Sequence, residues 1–175
     1  MGESAGEKKE CQLVIFRIGD EEFGVDINQV REIVRVVEIT RMPKAPAFIE
    51  GVVNLRGQIV SVIDLAKRLD IPSSPRDDNT RIIVIEIERN TVGMVVDSVS
   101  EVLRLSMRDI ADVPALIETE VPEHYIRGVG KLEDRLLVLL DLDKVLTYEE
   151  IKNIERHVEA MNKNKEEKKD KEGKQ

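Results

Sequence analysis

Asp64 and Asp141 are the two carboxylates whose placement invites an acid–base reading, because each opens an Asp-Leu step after an apolar run, in matching places of two similar segments. Paired carboxylates can divide the roles of proton donor and base. An Asp between a strand and a helix-forming segment also caps that helix by accepting a hydrogen bond from a free backbone N–H. Capping is the expected role of both. His124 and His157 are the only histidines and Cys11 the only cysteine, too few and too scattered for a zinc site built from such ligands. No Walker-type loop, nucleophile elbow or Rossmann fingerprint occurs. Asp77-Asp78 beside Ser73-Ser74-Pro75 reads as a solvated loop. The expectation is therefore a protein that is not an enzyme, with no catalytic residues, no metal and no cofactor, whose chemistry lies in binding.

Charge and composition narrow what it binds. The net charge is −8, whereas duplex nucleic acid requires a basic face. Single strands require stacking platforms, and the chain has no Trp, two Tyr and three Phe. Nucleic acid is excluded on both counts, and a polyproline groove, which needs an aromatic lining, on the second. No apolar run approaches the ~18 residues of a membrane span, and the first ten residues lack the apolar stretch of a secretion signal. A single cysteine fits a reducing compartment. The expected location is cytoplasmic, without direct membrane insertion. Cys11 is expected to be a small residue at the start of the first strand.

The elements that position these residues are mostly strands. Residues 13–18 and 23–27 flank the polar turn Gly19-Asp20-Glu21-Glu22, and 30–37 continues as a strand. Residues 51–55 and 58–63 flank Arg56-Gly57. Residues 82–87 and 92–96 flank Glu88-Arg89-Asn90-Thr91, with 101–105 following. Residues 126–132 and 136–140 flank Glu133-Asp134-Arg135. Four hairpins result. Asp64 is expected to cap a short helix through Leu69 that Pro72 ends, and Ser106 another. Thr147 and Glu150 form a capping box before a longer helix. Its stripe of Ile151, Ile154, Val158 and Met161 is expected to dock on the parent domain. The chain divides into a flexible leader over 1–11, a domain over 12–148, and a C-terminal helix with a charged disordered tail over 149–175.

The domain contains itself twice. Residues 24–35 align with 93–104, with Gly24/Gly93, Val30/Val99, Glu32/Glu101 and Arg35/Arg104 recurring. Residues 51–69 align with 128–146, with Gly51/Gly128, Asp64/Asp141 and Leu65/Leu142 recurring. Each half has about five strands, the number of a small closed barrel. A barrel of roughly 60 residues is marginal alone, so two subdomains are expected to share one core. Whether the strand near 80–87 pairs in the second barrel or crosses to the first is left open.

The run Gly51-Val52-Val53-Asn54-Leu55-Arg56-Gly57, followed by Ile63-Asp64-Leu65, resembles the CheW family. So do 19–27, 92–99 and Gly128-Val129-Gly130, in order across 13–146. The resemblance implies a mainly β fold of two SH3-like five-stranded barrels on a shared core. It also implies an adaptor that bridges the cytoplasmic tip of chemoreceptors to the regulatory domain of the histidine kinase CheA, recruited to membrane receptor arrays. CheW-like adaptors of pilus or gliding systems are the alternative.

Gly57 is expected to take a positive φ in its turn, and Gly51 to serve a similar bend. Arg56, at a hairpin tip, presents a planar guanidinium suited to a partner carboxylate or carbonyl, and the resemblance implies that it binds. By alternation Val30 and Glu32 share one face and Ile33 the other. Ile33 is thus expected in the core and Val30 and Glu32 at the contact surface. The resemblance adds Thr40 as an interaction position. Val102, the repeat equivalent of Ile33, is a second-subdomain candidate for protein binding whose expected role is packing.

Overall fold

The computed structural model describes residues 9–112 and 121–173. Residues 1–8 of the expected leader lie outside the described residues, and Glu10 and Cys11 already belong to the first strand. The strands are β1 Glu10–Ile18, β2 Glu21–Asp26, β3 Val30–Arg35, β4 Ile49–Leu55, β5 Gln58–Asp64, β6 Arg81–Ile87, β7 Asn90–Val96, β8 Ser98–Ser106, β9 Ile110–Ala111, β10 Ile126–Lys131 and β11 Leu136–Leu140. The helices are α1 Leu65–Leu69 and α2 Tyr148–Gly173. The four expected hairpins are β1–β2, β4–β5, β6–β7 and β10–β11.

The strands form two sheets, in the orders β8-β1-β2-β11-β10-β9 and β3-β6-β7-β5-β4. The strand near 80–87 crosses: β6 pairs with β3, and β7 runs parallel to β5. The opening hairpin of each half is therefore lodged in the other half's sheet. β1–β2 lies between β8 and β11, and β6–β7 lies between β3 and β5. The exchange follows the repeat to the residue. Gly24 faces Leu139, and its equivalent Gly93 faces Val62, the equivalent of Leu139. A Cβ at Gly24 would lie 2.9 Å from the Leu139 side chain, so the missing side chain lets the parallel strands close.

Burial on both strand faces explains the apolar runs. In β1, Leu13 and Ile15 point into a cluster within their own sheet, with Cys11, Leu105, Leu137 and Leu139. Val14, Phe16 and Ile18 point into the cluster shared between the sheets, with Phe23, Ile63, Ile83, Ile85 and Met94. The Phe16 and Phe23 rings lie 5.8 Å apart, and each fully buried ring contributes about 2–3 kcal/mol. Val53, Val60, Val62, Ile82, Val84 and Val95 fill the interior of the other sheet. Cys11 is 9% exposed. Burial, reinforced by the Asp26 carboxylate, raises its thiol pKa above the ordinary value. The thiolate is the reactive form, so we expect a maleimide to label Cys11 about a hundredfold more slowly in the native protein than in denaturant. Comparable rates, followed by mass spectrometry, would contradict that burial.

Helix ends follow their caps. Asp64 accepts from Lys67 N at 3.2 Å. α1 ends not at Pro72 but at Asp70, whose left-handed backbone (φ 57°) returns its N–H to the Ala66 and Lys67 carbonyls. Ser106 caps only a one-turn 3-10 helix, Met107–Asp109. At the start of α2, Glu150 Oε1 accepts from Thr147 N at 2.8 Å, and Thr147 Oγ1 accepts from Glu150 N at 3.2 Å. Ile151 and Ile154 are buried in the shared core. Arg68 secures the joint: its Nε donates to the Val145 carbonyl at 2.6 Å and its Nη2 to Glu150 at 2.8 Å. Its guanidinium lies 4.9 Å from the Phe48 ring centroid. The backbone of α2 continues helically past Asn162 to Gly173.

Candidate interaction surface

The β4–β5 turn carries the most exposed charge of the candidate set. Arg56 and Gly57 take φ of 54° and 84°, the left-handed pair of a two-residue hairpin turn usually filled by Asn-Gly. Asn54 Oδ1 accepts from Gly57 N at 2.8 Å and closes the turn. A left-handed arginine costs roughly 1–2 kcal/mol, a cost that Asn or Gly, the usual residues at this place in the turn, would lower. The side chain is what it keeps. That side chain is 83% exposed, and its Nη2 donates to Glu32 Oε2 at 2.8 Å. Between them lies a groove of about 200 Å³ lined by Arg31, Leu55, Gln58, Val60, Val84 and Thr91.

Glu32 reaches this groove from β3, whose ladder with β6 carries one irregularity. Val30 faces Ile85 and Glu32 faces Val84, leaving Arg31 as the extra residue. Burial still alternates along the strand, with Val30, Glu32 and Val34 half-buried and Arg31, Ile33 and Arg35 exposed, so the alternation is the one expected and the environments are exchanged. Val30, expected at the contact surface, packs against the shared core. Ile33, expected in the core, is 37% exposed between exposed Arg31 and Arg35. Val102 departs from its packing role in the same sense. It sits on β8, the end strand of its sheet as β3 is of the other, and is 53% exposed.

Thr40 is exposed, and its backbone is fixed. Its N–H donates to the Val52 carbonyl at 2.9 Å and its carbonyl accepts from Val52 N at 2.8 Å. Gly51, at φ 148°, lies directly beneath, and a Cβ there would collide with the Thr40 carbonyl oxygen. Close approach, rather than a bend, is its reason for being glycine. The repeat reproduces the arrangement, with Ala111 facing Val129 and a Cβ at Gly128 falling 2.8 Å from the Ala111 oxygen.

Asp64 and Asp141 do not form an acid–base pair. Asp64 contacts Lys67 and Arg76, and burial pushes its carboxyl pKa up. Asp141 accepts from Gln29 and Asp143. These contacts share no residue. Among the described residues no group of three His, Cys, Asp or Glu is placed to hold a metal ion.

One cluster escaped the sequence reading. Arg135 grips Glu22 with two contacts, Nε to Oε2 at 3.0 Å and Nη2 to Oε1 at 3.1 Å, and reaches Glu101 at 3.7 Å. The aligned repeat already matched Glu101 with Glu32, which was the available signal. The arginine comes from the far side of the turn, however, and the tip itself is acidic Glu133-Asp134. One sheet thus presents an exposed arginine, and the other a tethered one.

This surface lies within a wider match. A model of the CheW-like domain covers residues 12–150. The chain belongs to the CheW family. It is 42% identical to the chemotaxis protein CheW of Klebsiella aerogenes over 147 residues, covering 84% of this chain and 88% of that one. It is 34% identical to the CheW of Thermotoga maritima, covering 79% and 89%. Among solved structures, the scaffolding protein TtCheW of Thermoanaerobacter tengcongensis superposes with a TM-score of 0.73 at 34% identity, covering 79% of this chain and 89% of that one. The CheW fold therefore accounts for both sheets and both repeat halves. Most of α2 lies beyond the matched residues.

Proposed function

We infer that the protein is a chemotaxis adaptor that couples chemoreceptors to the histidine kinase CheA by binding both. One contact is with the regulatory domain of the kinase and the other with the cytoplasmic tip of the receptor. The observation that carries this reading is Arg56. It is 83% exposed on a left-handed turn beside Glu32, within a chain similar to chemotaxis CheW proteins over most of its length. Its role is to bring partners together rather than to transform a substrate. Thr40, Glu32 and Val102 are candidate contact positions around it, and Gly51 and Gly57 shape the backbone that presents them. Individual contacts can be weak, because avidity in a membrane-associated array multiplies them. A cytoplasmic location fits this role, and no helix among the described residues is long and apolar enough to cross a membrane.

Calorimetric titration tests the reading. The expected result is saturable binding to the purified regulatory domain of the cognate CheA, and separately to a receptor signalling fragment. A folded protein that binds neither would redirect the search to pilus and gliding systems.

A further inference from the structure

The repeat holds in three dimensions down to its irregularities. Glu32 faces Val84 beside a register shift in the β3–β6 ladder, and Glu101 faces Ile15 beside the matching shift in the β8–β1 ladder. Leu55 pairs with Gln58 across the β4–β5 turn, and Leu132 N donates to the Arg135 carbonyl at 2.9 Å across the β10–β11 turn. The second sheet therefore has a place that matches the Arg56 groove residue for residue. Gln58 and Thr91, which line that groove, correspond there to Arg135 and Glu22.

The two places differ in what fills them. In the first, about 200 Å³ is open above Val60 and Val84, both buried. In the second, the matching buried residues are Leu137 and Ile15, each larger by a methylene. Arg135, at the foot of β11, lies across the strands that would form the walls. It bonds twice to Glu22 on β2, at 3.0 and 3.1 Å, and comes within 3.7 Å of Glu101 on β8. Its remaining nitrogen, Nη1, donates to Asp134 at 2.9 Å, so every guanidinium nitrogen is committed within the chain. The tip residue in the place of Arg56 is Glu133. Neither Glu133 nor Asp134 takes the left-handed backbone of Arg56 and Gly57.

We propose that Arg135 is a specificity-determining residue, which closes the second sheet's copy of the Arg56 groove so that the partner group taken by the first sheet is refused by the second. This rests on the adaptor reading above. A chain with two open copies would accept the same partner in two orientations, and an adaptor that must face two different partners needs one. Discrimination of this kind comes as much from refusing the wrong docking as from attracting the right one. The refusal has two parts. The planar, doubly bonded Arg135–Glu22 pair fixes a side chain in the space a ligand would need. Glu133 then repels the carboxylate that a guanidinium at Arg56 attracts.

The test transplants the turn Arg56-Gly57-Gln58 onto the second sheet. Into a chain that already carries Arg56→Glu, and so binds about a hundredfold more weakly, Glu133→Arg, Asp134→Gly and Arg135→Gln are introduced together. A control carries the first two without Arg135→Gln. Circular dichroism establishes folding, and each full chain is titrated with the purified CheA regulatory domain and with the receptor signalling fragment. The three changes together are expected to restore about tenfold of the affinity lost through Arg56→Glu. The control is expected to restore none, because Arg135 still closes the place. Recovery in both chains, or in neither, would overturn the proposal and leave the adaptor reading standing. So would a wild-type chain that takes two equivalents of one partner, or an Arg56→Glu chain that binds as the wild type does, since the second sheet would then have nothing to refuse. A wild-type chain that binds neither partner would overturn both readings.

Discussion

Replacing Arg56 by Glu is expected to weaken partner binding about a hundredfold, ~3 kcal/mol, while leaving the fold intact. The guanidinium is 83% exposed and its ion pair with Glu32 is at the surface. Such pairs contribute ~0–1 kcal/mol to stability. The substitution places a second carboxylate beside Glu32, so a partner group that had met a cation meets two anions. Titration against the CheA regulatory domain and the receptor fragment, alongside thermal unfolding, separates the two effects. A folded variant with wild-type affinity for both partners would remove Arg56 from the surface.

Gly51→Ala is expected to act the other way, on stability first. A Cβ at this position collides with the Thr40 carbonyl oxygen and would lie 3.0 Å from Arg41 Cα. Both obstacles are backbone and cannot rotate away. The Thr40–Val52 bridge must open, losing two hydrogen bonds worth about 1 kcal/mol each. The φ of 148° adds strain of order 1–3 kcal/mol. A total near 4 kcal/mol lowers the melting temperature by about 10 °C in a domain of this size. Gly57→Ala is the control. Nothing lies within 4 Å of a Cβ there, so only the left-handed cost of about 1 kcal/mol remains. Equal losses in the two variants would mean that backbone conformation, rather than the closeness of Thr40, dictates glycine at 51.

Much of this was readable from the chain because hairpins and caps are local. Leu13 to Ile18 alternates or fills both faces, Gly19-Asp20 and Arg56-Gly57 turn, and Asp64 and Thr147 sit where a helix needs an acceptor. Which hairpin joins which sheet is not local. The parallel pairings that make the exchange, Gly93 beside Val62 and Gly24 beside Leu139, join residues far apart in the chain. The faces of β3 were misjudged for a similar reason. Val30 and Glu32 do alternate with Ile33 in exposure, but alternation does not say which side meets the core, and on this end strand it is the Val30 side. The Glu32–Arg56 pair joins residues already singled out separately, whereas the Arg135–Glu22–Glu101 cluster was hidden because its arginine sits two places from the aligned tip.

The exchange of hairpins also has a consequence for synthesis on the ribosome. All strands of the β3-β6-β7-β5-β4 sheet have been made once Val96 is joined. β1 and β2, the first strands to emerge, pair outward only with β8 and β11. Chains are made N-terminus first, so the nascent chain carries Phe16 and Phe23 through most of its elongation without the strands that flank them. β1 gains its outer neighbour once Ser98–Ser106 is made, but β2 gains its own only when Leu136–Leu140 leaves the exit tunnel, so β2 is the strand that waits longest and has most need of a chaperone.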